Sequence, residues 1–490
     1  MDGPAQAPLK ICFVTAELAP FAKTGGLADV CAALAARFHA SGHDVRVLLP
    51  RYATIDSSGL DVVPVDFLQD VPVSLQGVDT TWSIDTVPLP GSDLRIHLLR
   101  CPALYDRPRI YTQDPDEHLR FGVLTRAAIE MCQRMAFAPD VLHCHDWHAA
   151  LGPLYLKSIY AWDRLFARTR SVLTLHNIGY QGVFSADVLG DLGLHVAAHD
   201  FPADDLAQGR INFLKTGIVH ADALTTVSPT YAREIQGDEL GMGLQHLLRA
   251  RSDVLTGILN GVDYAEWDPA HDPFIPHRYT ADDLRGKAWC KRALLRELGL
   301  EVAKGRPLAG MVTRLVAQKG IDLVREAVPS LLETRDFALA VLGSGEAQYE
   351  ELFHALARRF PGRVAFRPGY DNPLAHRIEA GSDFFLMPSR YEPCGLNQMY
   401  SLRYGSVPVV RATGGLADSV QPYDREARTG TGIVFRDYTA DGLAWAIGTA
   451  LDLYADRPAW RQLVLNGMAQ DFSWERQGQR YIDLFRSLLR

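Results

Sequence analysis

KICFVTAELAPFAKTGGLADVCAALAARFHASGHDVRVLLP, residues 10–50, carries the pattern on which the architecture turns. Its run 11–15 is short, apolar and unbroken, as in a parallel strand covered on both faces. A loop with proline and two glycines follows, and then Leu27, Val30, Leu34 and Phe38 recur at helical spacing. Gly42 ends that helix, and 45–49 reads as a second buried strand. Strand, helix and parallel strand make a βαβ unit with a glycine pair in its first turn.

Working outward, further strand-like runs lie at 141–145, 171–176 and 223–227, while 52–120, richer in Pro and Asp, reads as strands and insertions at the sheet edge. The pattern changes near 255–263. After DPAHDPFIPHRYT (268–280) and a charged helix over 281–298, a βαβα series places strands at 308–313, 338–342, 364–367, 384–388 and 407–410. Strands alternating with helices of that length specify a doubly wound parallel sheet. Two amphipathic helices close the chain, one carrying Leu443, Ile447, Leu451 and Tyr454, the other Tyr481, Leu484, Phe485 and Leu488 behind a Ser473 cap. The expected fold is α/β, two Rossmann-like domains facing a central cleft: 1–256, 257–473, and a terminal helical segment 474–490. Thr24–Asp29 and Thr413–Asp418 both read TGGLAD. The echo is that of two similar halves, each with a Gly-Gly turn opening a helix, or of two turns that chose the same residues independently.

Bulk properties exclude several classes. The 490 residues are 47% apolar and 22% charged, an ordinary globular composition. A net charge of −8 lacks the basic footprint of a nucleic-acid partner. The seven cysteines, at 12, 31, 101, 132, 144, 290 and 394, form no CxxC and read as reduced thiols. No signal-peptide pattern and no run of ~18 apolar residues occurs, so the expectation is a cytoplasmic protein without a membrane partner.

Four constellations carry candidate chemistry. Lys23-Thr24-Gly25-Gly26 sets a cation and side-chain-free amides before a helix, as an anion cradle or as a tight structural turn; the residues leave both open. Arg314 and Lys319 flank the end of strand 308–313, where two cations suit a diphosphate. A leaving diphosphate gains charge in the transition state, and fixed donors there contribute ~3–4 kcal/mol each. Glu392 precedes a helix opened by Cys394, Gly395, Leu396 and Asn397, whose amides form a second candidate phosphate site. HCHDWHAA (143–150) puts three histidines and Asp146 together, yet has neither HExxH nor paired cysteines, and reads as a polar sugar-facing edge rather than a metal site. His176 and Asn177 end another strand in the same manner.

KTGGLADV (23–30), HDWHA (145–149), HN–GYQG (176–182), VSPTYAREI (227–235), LNGVD (259–263), TRL–QKG (313–320), SRYEPCGLNQ (389–398) and TGGLADSV (413–420) occur in that order. With them the chain resembles the bacterial glycogen synthases and, beyond these, the plant starch synthases, over about 9–488. The resemblance implies the GT-B architecture, no metal or other cofactor, and a C-terminal helix crossing back to the first domain. It implies transfer of glucose from ADP-glucose to the non-reducing end of an α-1,4-glucan, with retention. On it, Lys23 becomes the donor-loop lysine, with Gly25 and Gly26 beside the diphosphate and Asp29 next to them. Arg314 and Lys319 become the phosphate ligands, Glu392 the active-site carboxylate and His176 the histidine near the reacting sugar. Asp146, Asn177 and Asn260 fall at the glucose pocket, and Tyr370 on the nucleotide base. Asn397 stands where many relatives have Thr, and Tyr400 where the wider superfamily has a second Glu. A UDP-sugar transferase or epimerase, and a silent glucan-binding protein, are the competing readings. Oligomeric state is not legible.

Overall fold

The computed structural model describes residues 7–73, 75 and 80–490. The N-terminal reading up to residue 6, and positions 74 and 76–79 of the edge stretch, lie outside the described residues. The chain divides into two compact units. Unit 1 takes residues up to Val227, Ala232–Gly261 and Trp474–Arg490; unit 2 takes Ser228–Tyr231 and Val262–Ser473. The division therefore differs from the expected 1–256 and 257–473 in two places. Residues up to Gly261 stay with unit 1, because Leu255–Gly257 pairs with its sheet and Gly261 lies flat against Trp474. Ser228–Tyr231 belongs to unit 2, where the Ser228 hydroxyl donates to the Pro393 carbonyl at 2.8 Å and Thr230 donates twice to the Asp418 carboxylate at 2.7 Å.

Unit 1 contains β1 (Lys10–Val14), β2 (Asp44–Pro50), β3 (Val63–Pro64), β4 (Val71–Pro72), β5 (Thr81–Pro88), β6 (Arg95–Arg100), β7 (Val141–His145), β8 (Arg170–Leu175), β9 (Val183–Ser185), β10 (Arg210–Asn212), β11 (Ala223–Thr226) and β12 (Leu255–Gly257). One sheet runs β12-β11-β8-β7-β1-β2-β6-β5-β3, with β4 on β5; β9 and β10 form a separate pair. From β12 to β6 every neighbour is parallel, and β5 closes the edge antiparallel. The strand order reverses at β1, which sends the chain to β2 on one side and receives β7 on the other. Such a reversal is where open α/β sheets bind ligands.

The helix Gly26–Ala40 buries Ala28, Val30, Cys31, Leu34, Ala35 and Phe38, one face at i, i+3, i+4 spacing. The C-terminal helix Trp474–Leu488 belongs to the same unit and sets Phe485 against Phe38 (ring centroids 5.6 Å) and His143 (5.3 Å). Its buried face is Tyr481, Ile482 and Phe485; Leu484 and Leu488 are only half-buried.

Unit 2 contains β13 (Leu308–Val312), β14 (Ala338–Gly343), β15 (Val364–Pro368), β16 (Phe384–Met387), β17 (Val407–Arg411) and β18 (Ile433–Phe435). They form one all-parallel sheet, ordered β15-β14-β13-β16-β17-β18, which reverses between β13 and β16. The edge strands β12 and β18 escaped the sequence reading because three residues carry no periodicity.

Phe485 is fully buried in unit 1. Phe485→Ala should cost about 3–5 kcal/mol in the unfolding transition of that unit, measured by urea titration. A loss below ~1 kcal/mol would mean that the terminal helix adds little to the core.

Candidate active site

Unit 1 collects polar groups at the carboxyl ends of β1, β7 and β8. After β1 the chain makes the loop that leads into KTGG, and here the structure supplies a residue absent from the sequence reading. Glu17 is buried and accepts four hydrogen bonds: Thr24 N–H at 2.6 Å, Thr24 Oγ1 at 2.6 Å, Gly25 N–H at 3.2 Å and the Tyr111 hydroxyl at 2.6 Å. The loop does cradle an anion, but that anion is the protein's own carboxylate. The Gly25 amide is therefore engaged internally. What Gly25 offers outward is room, since a Cβ built on it would meet nothing within 4 Å. Lys23 Nζ pairs with Asp29 at 2.7 Å, both side chains part-exposed, and such pairs contribute little stability. Gly26 begins the helix.

The second TGGLAD does a different job. Gly414 has φ +43°, and a Cβ on it would stand 1.8 Å from the Glu392 carbonyl oxygen; one on Gly415 would stand 2.2 Å from that of Cys394. These glycines are packing sites that let the turn lie against the segment carrying Glu392, and the Gly415 N–H donates to the Glu392 carbonyl at 3.1 Å. Its terminal aspartate, Asp418, holds Thr230. Both turns open a helix as expected, but the space beside the second is filled by backbone.

Asp146 follows β7 with φ +55°, a left-handed conformation that Asp and Asn tolerate better than most side chains. The turn brings its Oδ1 onto the backbone N–H of His176 (2.7 Å) and of Asn177 (3.4 Å). Asn177 Oδ1 accepts from Gly179 N–H at 3.0 Å. His145 Nδ1 and His176 Nε2 are 2.9 Å apart. Burial pushes the Asp146 carboxyl up to about 7, against the pull of the His176 and Asn177 amides. Burial also lowers His176 and His143 to about 3 and His145 well below its ordinary value. These imidazoles are thus neutral at neutral pH, suited to hydroxyls rather than to phosphate. His143 instead faces inward onto Thr174 Oγ1 at 2.7 Å, and His148 stacks on Tyr111 at 4.8 Å. The three histidines of HCHDWHAA therefore do not converge on one point. Asn260 is buried, with Oδ1 unpartnered among the described residues, and forms no described bond to this group.

In unit 2 the two sides of the β13–β16 reversal meet in one ion pair. Lys319, in the 3-10 turn Ala317–Lys319, donates from Nζ to Glu392 Oε2 at 2.6 Å; the side chains are 18% and 6% exposed. Ser389 Oγ donates to the same oxygen at 3.0 Å. Arg314 lies just past β13, exposed, with no described partner for its guanidinium. Cys394 is buried, Gly395 has φ +72°, Leu396 is the N-cap of the helix Asn397–Tyr404, and Asn397 spends its side-chain amide on the Val312 carbonyl at 2.6 Å. Tyr370 is 66% exposed and bonds Asn372 Oδ1 at 2.7 Å. Tyr400 stacks on Trp267 with centroids 3.9 Å apart and rings parallel within 1°. Position 400 is thus an aromatic packing site with no room for a carboxylate's hydration.

Against known proteins, residues 10–250 match the starch synthase catalytic domain family and 299–463 the glycosyl transferases group 1 family. A glycogen synthase of Anaeromyxobacter dehalogenans (strain 2CP-C) is 48% identical over 98% of this chain and 100% of its own length. This chain belongs to the glycogen and starch synthase family. A glycogen synthase of Myxococcus xanthus is 45% identical over 98% of the chain. The solved catalytic domain of starch synthase IV from Arabidopsis thaliana, bound to ADP and acarbose, is similar with a TM-score of 0.90 at 36% identity, covering 99% of this chain and 100% of that one. The two Rossmann-like units are those of a GT-B glycosyltransferase, and the family's chemistry is glucosyl transfer.

Glu17, with Tyr111 and Ser389, was missed by sequence reading; its signal was an acid lodged in the apolar stretch AELAPFA. Glu17→Ala should release the Thr24 and Gly25 amides, speed their hydrogen exchange, and lower transfer on the order of 10²-fold through misplacement of the loop. Glu17→Gln should recover most of the activity, because its oxygen can face the amides and its NH2 the two hydroxyls. Equal activity in all three proteins would refute the anchoring role. A pH effect follows from Asp146. Its folded value of about 7 lies above the ordinary 3.8, so folding favours the protonated form. That contribution is complete below the ordinary value and is lost as pH rises through the folded one. Asn keeps the acceptor and tolerates the backbone, so the thermal midpoint of Asp146→Asn relative to the parent should rise between about pH 5 and about pH 8. A difference independent of pH would show that Asp146 titrates normally.

Proposed function

We propose that this chain transfers glucose from ADP-glucose to the non-reducing end of an α-1,4-glucan, with retention, in the cytoplasm and without a metal ion. The observation that carries the assignment of residues is the Lys319–Glu392 pair with its Ser389 brace, set where the strands of unit 2 reverse. A part-buried cation held by a single carboxylate is poised to exchange that partner for phosphate oxygens, and Arg314 stands exposed at the same strand end. In this reading Arg314 and Lys319 take the diphosphate and stabilise the leaving group. Glu392, freed from the lysine, holds sugar hydroxyls; the 394–397 turn flanks the phosphates, and Tyr370 offers its exposed ring to the base.

Unit 1 contributes the neutral polar groups. His176, oriented through its backbone by Asp146, faces the sugar, with Asn177 and Asn260 as further hydroxyl partners. Lys23, part-exposed and paired with Asp29, is the donor-loop cation, carried with Gly26 on a loop that Glu17 keeps in place. The seven cysteines are buried and form no disulfide among the described residues, which supports work in a reducing compartment. Among the described residues no helix is long and apolar enough to cross a membrane.

The test is incorporation of glucose into glycogen from ADP-glucose and, separately, from UDP-glucose, with and without EDTA. Preference for ADP-glucose and indifference to EDTA are expected; preference for UDP-glucose would replace the donor, and EDTA sensitivity would overturn the metal-free part. Lys319→Ala and Glu392→Gln should each lower kcat by ~10²–10³-fold. Circular dichroism and thermal unfolding should show both folded at the assay temperature, although an unpartnered buried charge costs Lys319→Ala about 3–5 kcal/mol. Near-parental turnover in either variant would mean that the site lies elsewhere.

A further inference from the structure

One convergence of side chains offers a chemistry beyond these roles. Cys31 in the helix Gly26–Ala40, His145 at the end of β7 and His176 just past β8 each turn one donor atom toward a common point. The thiol sulfur and two imidazole nitrogens lie within 4.8 Å of one another, on three separate elements, with all three side chains buried. His145 Nδ1 and His176 Nε2 share a proton across 2.9 Å, and Thr15 Oγ1 lies 3.3 Å from the sulfur. His145 Nε2, on the far side of its ring, is buried without a partner among the described residues. No other set of three such donors converges among the described residues.

Two imidazoles and a thiolate are a donor set for a borderline-soft divalent ion, which takes nitrogen at about 2.0–2.1 Å and sulfur at about 2.3 Å in a tetrahedral arrangement. Those bond lengths require the two nitrogens to stand about 3.3 Å apart, a few tenths more than they do, and the sulfur to close to about 3.5 Å from each. Small shifts of one helical side chain and two rings achieve both. Three protein ligands leave a fourth position for water or a substrate oxygen.

We propose that a divalent cation of the zinc class binds Cys31, His145 and His176, and that this binding blocks glucosyl transfer by taking the His176 imidazole. The ion replaces the proton between the two rings. That proton moves to a ring nitrogen away from the metal, for which the unpartnered His145 Nε2 is available, and the Cys31 thiol releases its proton to solvent. One proton therefore leaves the protein per cation bound. The blocking step rests on the reading of His176 as sugar-facing; the binding step does not.

The full-length protein is titrated with Co2+, whose bond to a thiolate gives a charge-transfer absorption and whose tetrahedral complexes absorb strongly in the visible. The expected result is a saturable band at one cobalt per chain, displaced by Zn2+, with one proton released in calorimetry across buffers. Cys31→Ser should remove the thiolate band, and Cys31→Ala should weaken Zn2+ binding by at least ~10-fold. Thermal unfolding shows whether each variant keeps its fold. In the transfer assay Zn2+ should inhibit the parent, EDTA should reverse it, and both Cys31 variants should stay active at the same Zn2+ concentration. Absence of the band, or its survival in folded Cys31→Ser, overturns the site. Stoichiometric Zn2+ at Cys31 with undiminished turnover overturns the blocking step, separately from whether the donor is ADP-glucose.

Discussion

Two sheets, one wholly and one largely parallel, each reverse their strand order once, and the placement of the polar strand-end residues follows from that. At β1 and β7, and again at β13 and β16, the strand order reverses, the arrangement in which the carboxyl ends of adjacent strands open onto a crevice. Strands buried on both faces hold apolar side chains along their length, and the first polar residues come where each strand stops. Glu17, Asp146 and His176 in unit 1, and Arg314 and Glu392 in unit 2, all lie just beyond a strand end. At such a position a side chain can be rigidly held and still reach a ligand.

Within each unit the opposing charges are arranged differently. Unit 1 keeps its acid, Glu17, inside a ring of donors and its imidazoles neutral through burial. Unit 2 keeps cations, one of them exposed and one paired with a carboxylate at 2.6 Å. A neutral, hydrogen-bonding wall suits sugar hydroxyls, and fixed cations suit a diphosphate whose charge grows as the glycosidic bond breaks. The difference in electrostatics, more than the likeness in topology, distinguishes the two units.

The repeated TGGLAD shows how far identical letters can diverge. In the first copy Gly25 looks onto open space, and Thr24 is bound to a buried carboxylate three residues past the strand that precedes it. In the second, Gly414 and Gly415 press against the carbonyls of Glu392 and Cys394, where any side chain would collide. The common requirement is only a turn without side chains between a strand and a helix; what occupies the freed space is set by the neighbouring chain.

Sequence alone determined the strand and helix alternation, because buried strands and amphipathic helices write their periods into apolar spacing. It also determined the family, because ordered motifs over nearly the whole chain are too specific to arise from composition. The KTGG loop, Arg314, Lys319, Glu392 and His176 were legible as strand-end polar residues. Tertiary structure decided which of these are joined: the Lys319–Glu392 pair spans 73 positions, and the contacts of Glu17 reach as far as Tyr111. It also decided that the Gly25 amide is engaged and that Ser228–Tyr231 belongs with unit 2. Those facts depend on distances between residues far apart in the chain and on the cost of leaving a buried charge unpartnered, and neither is encoded in local spacing.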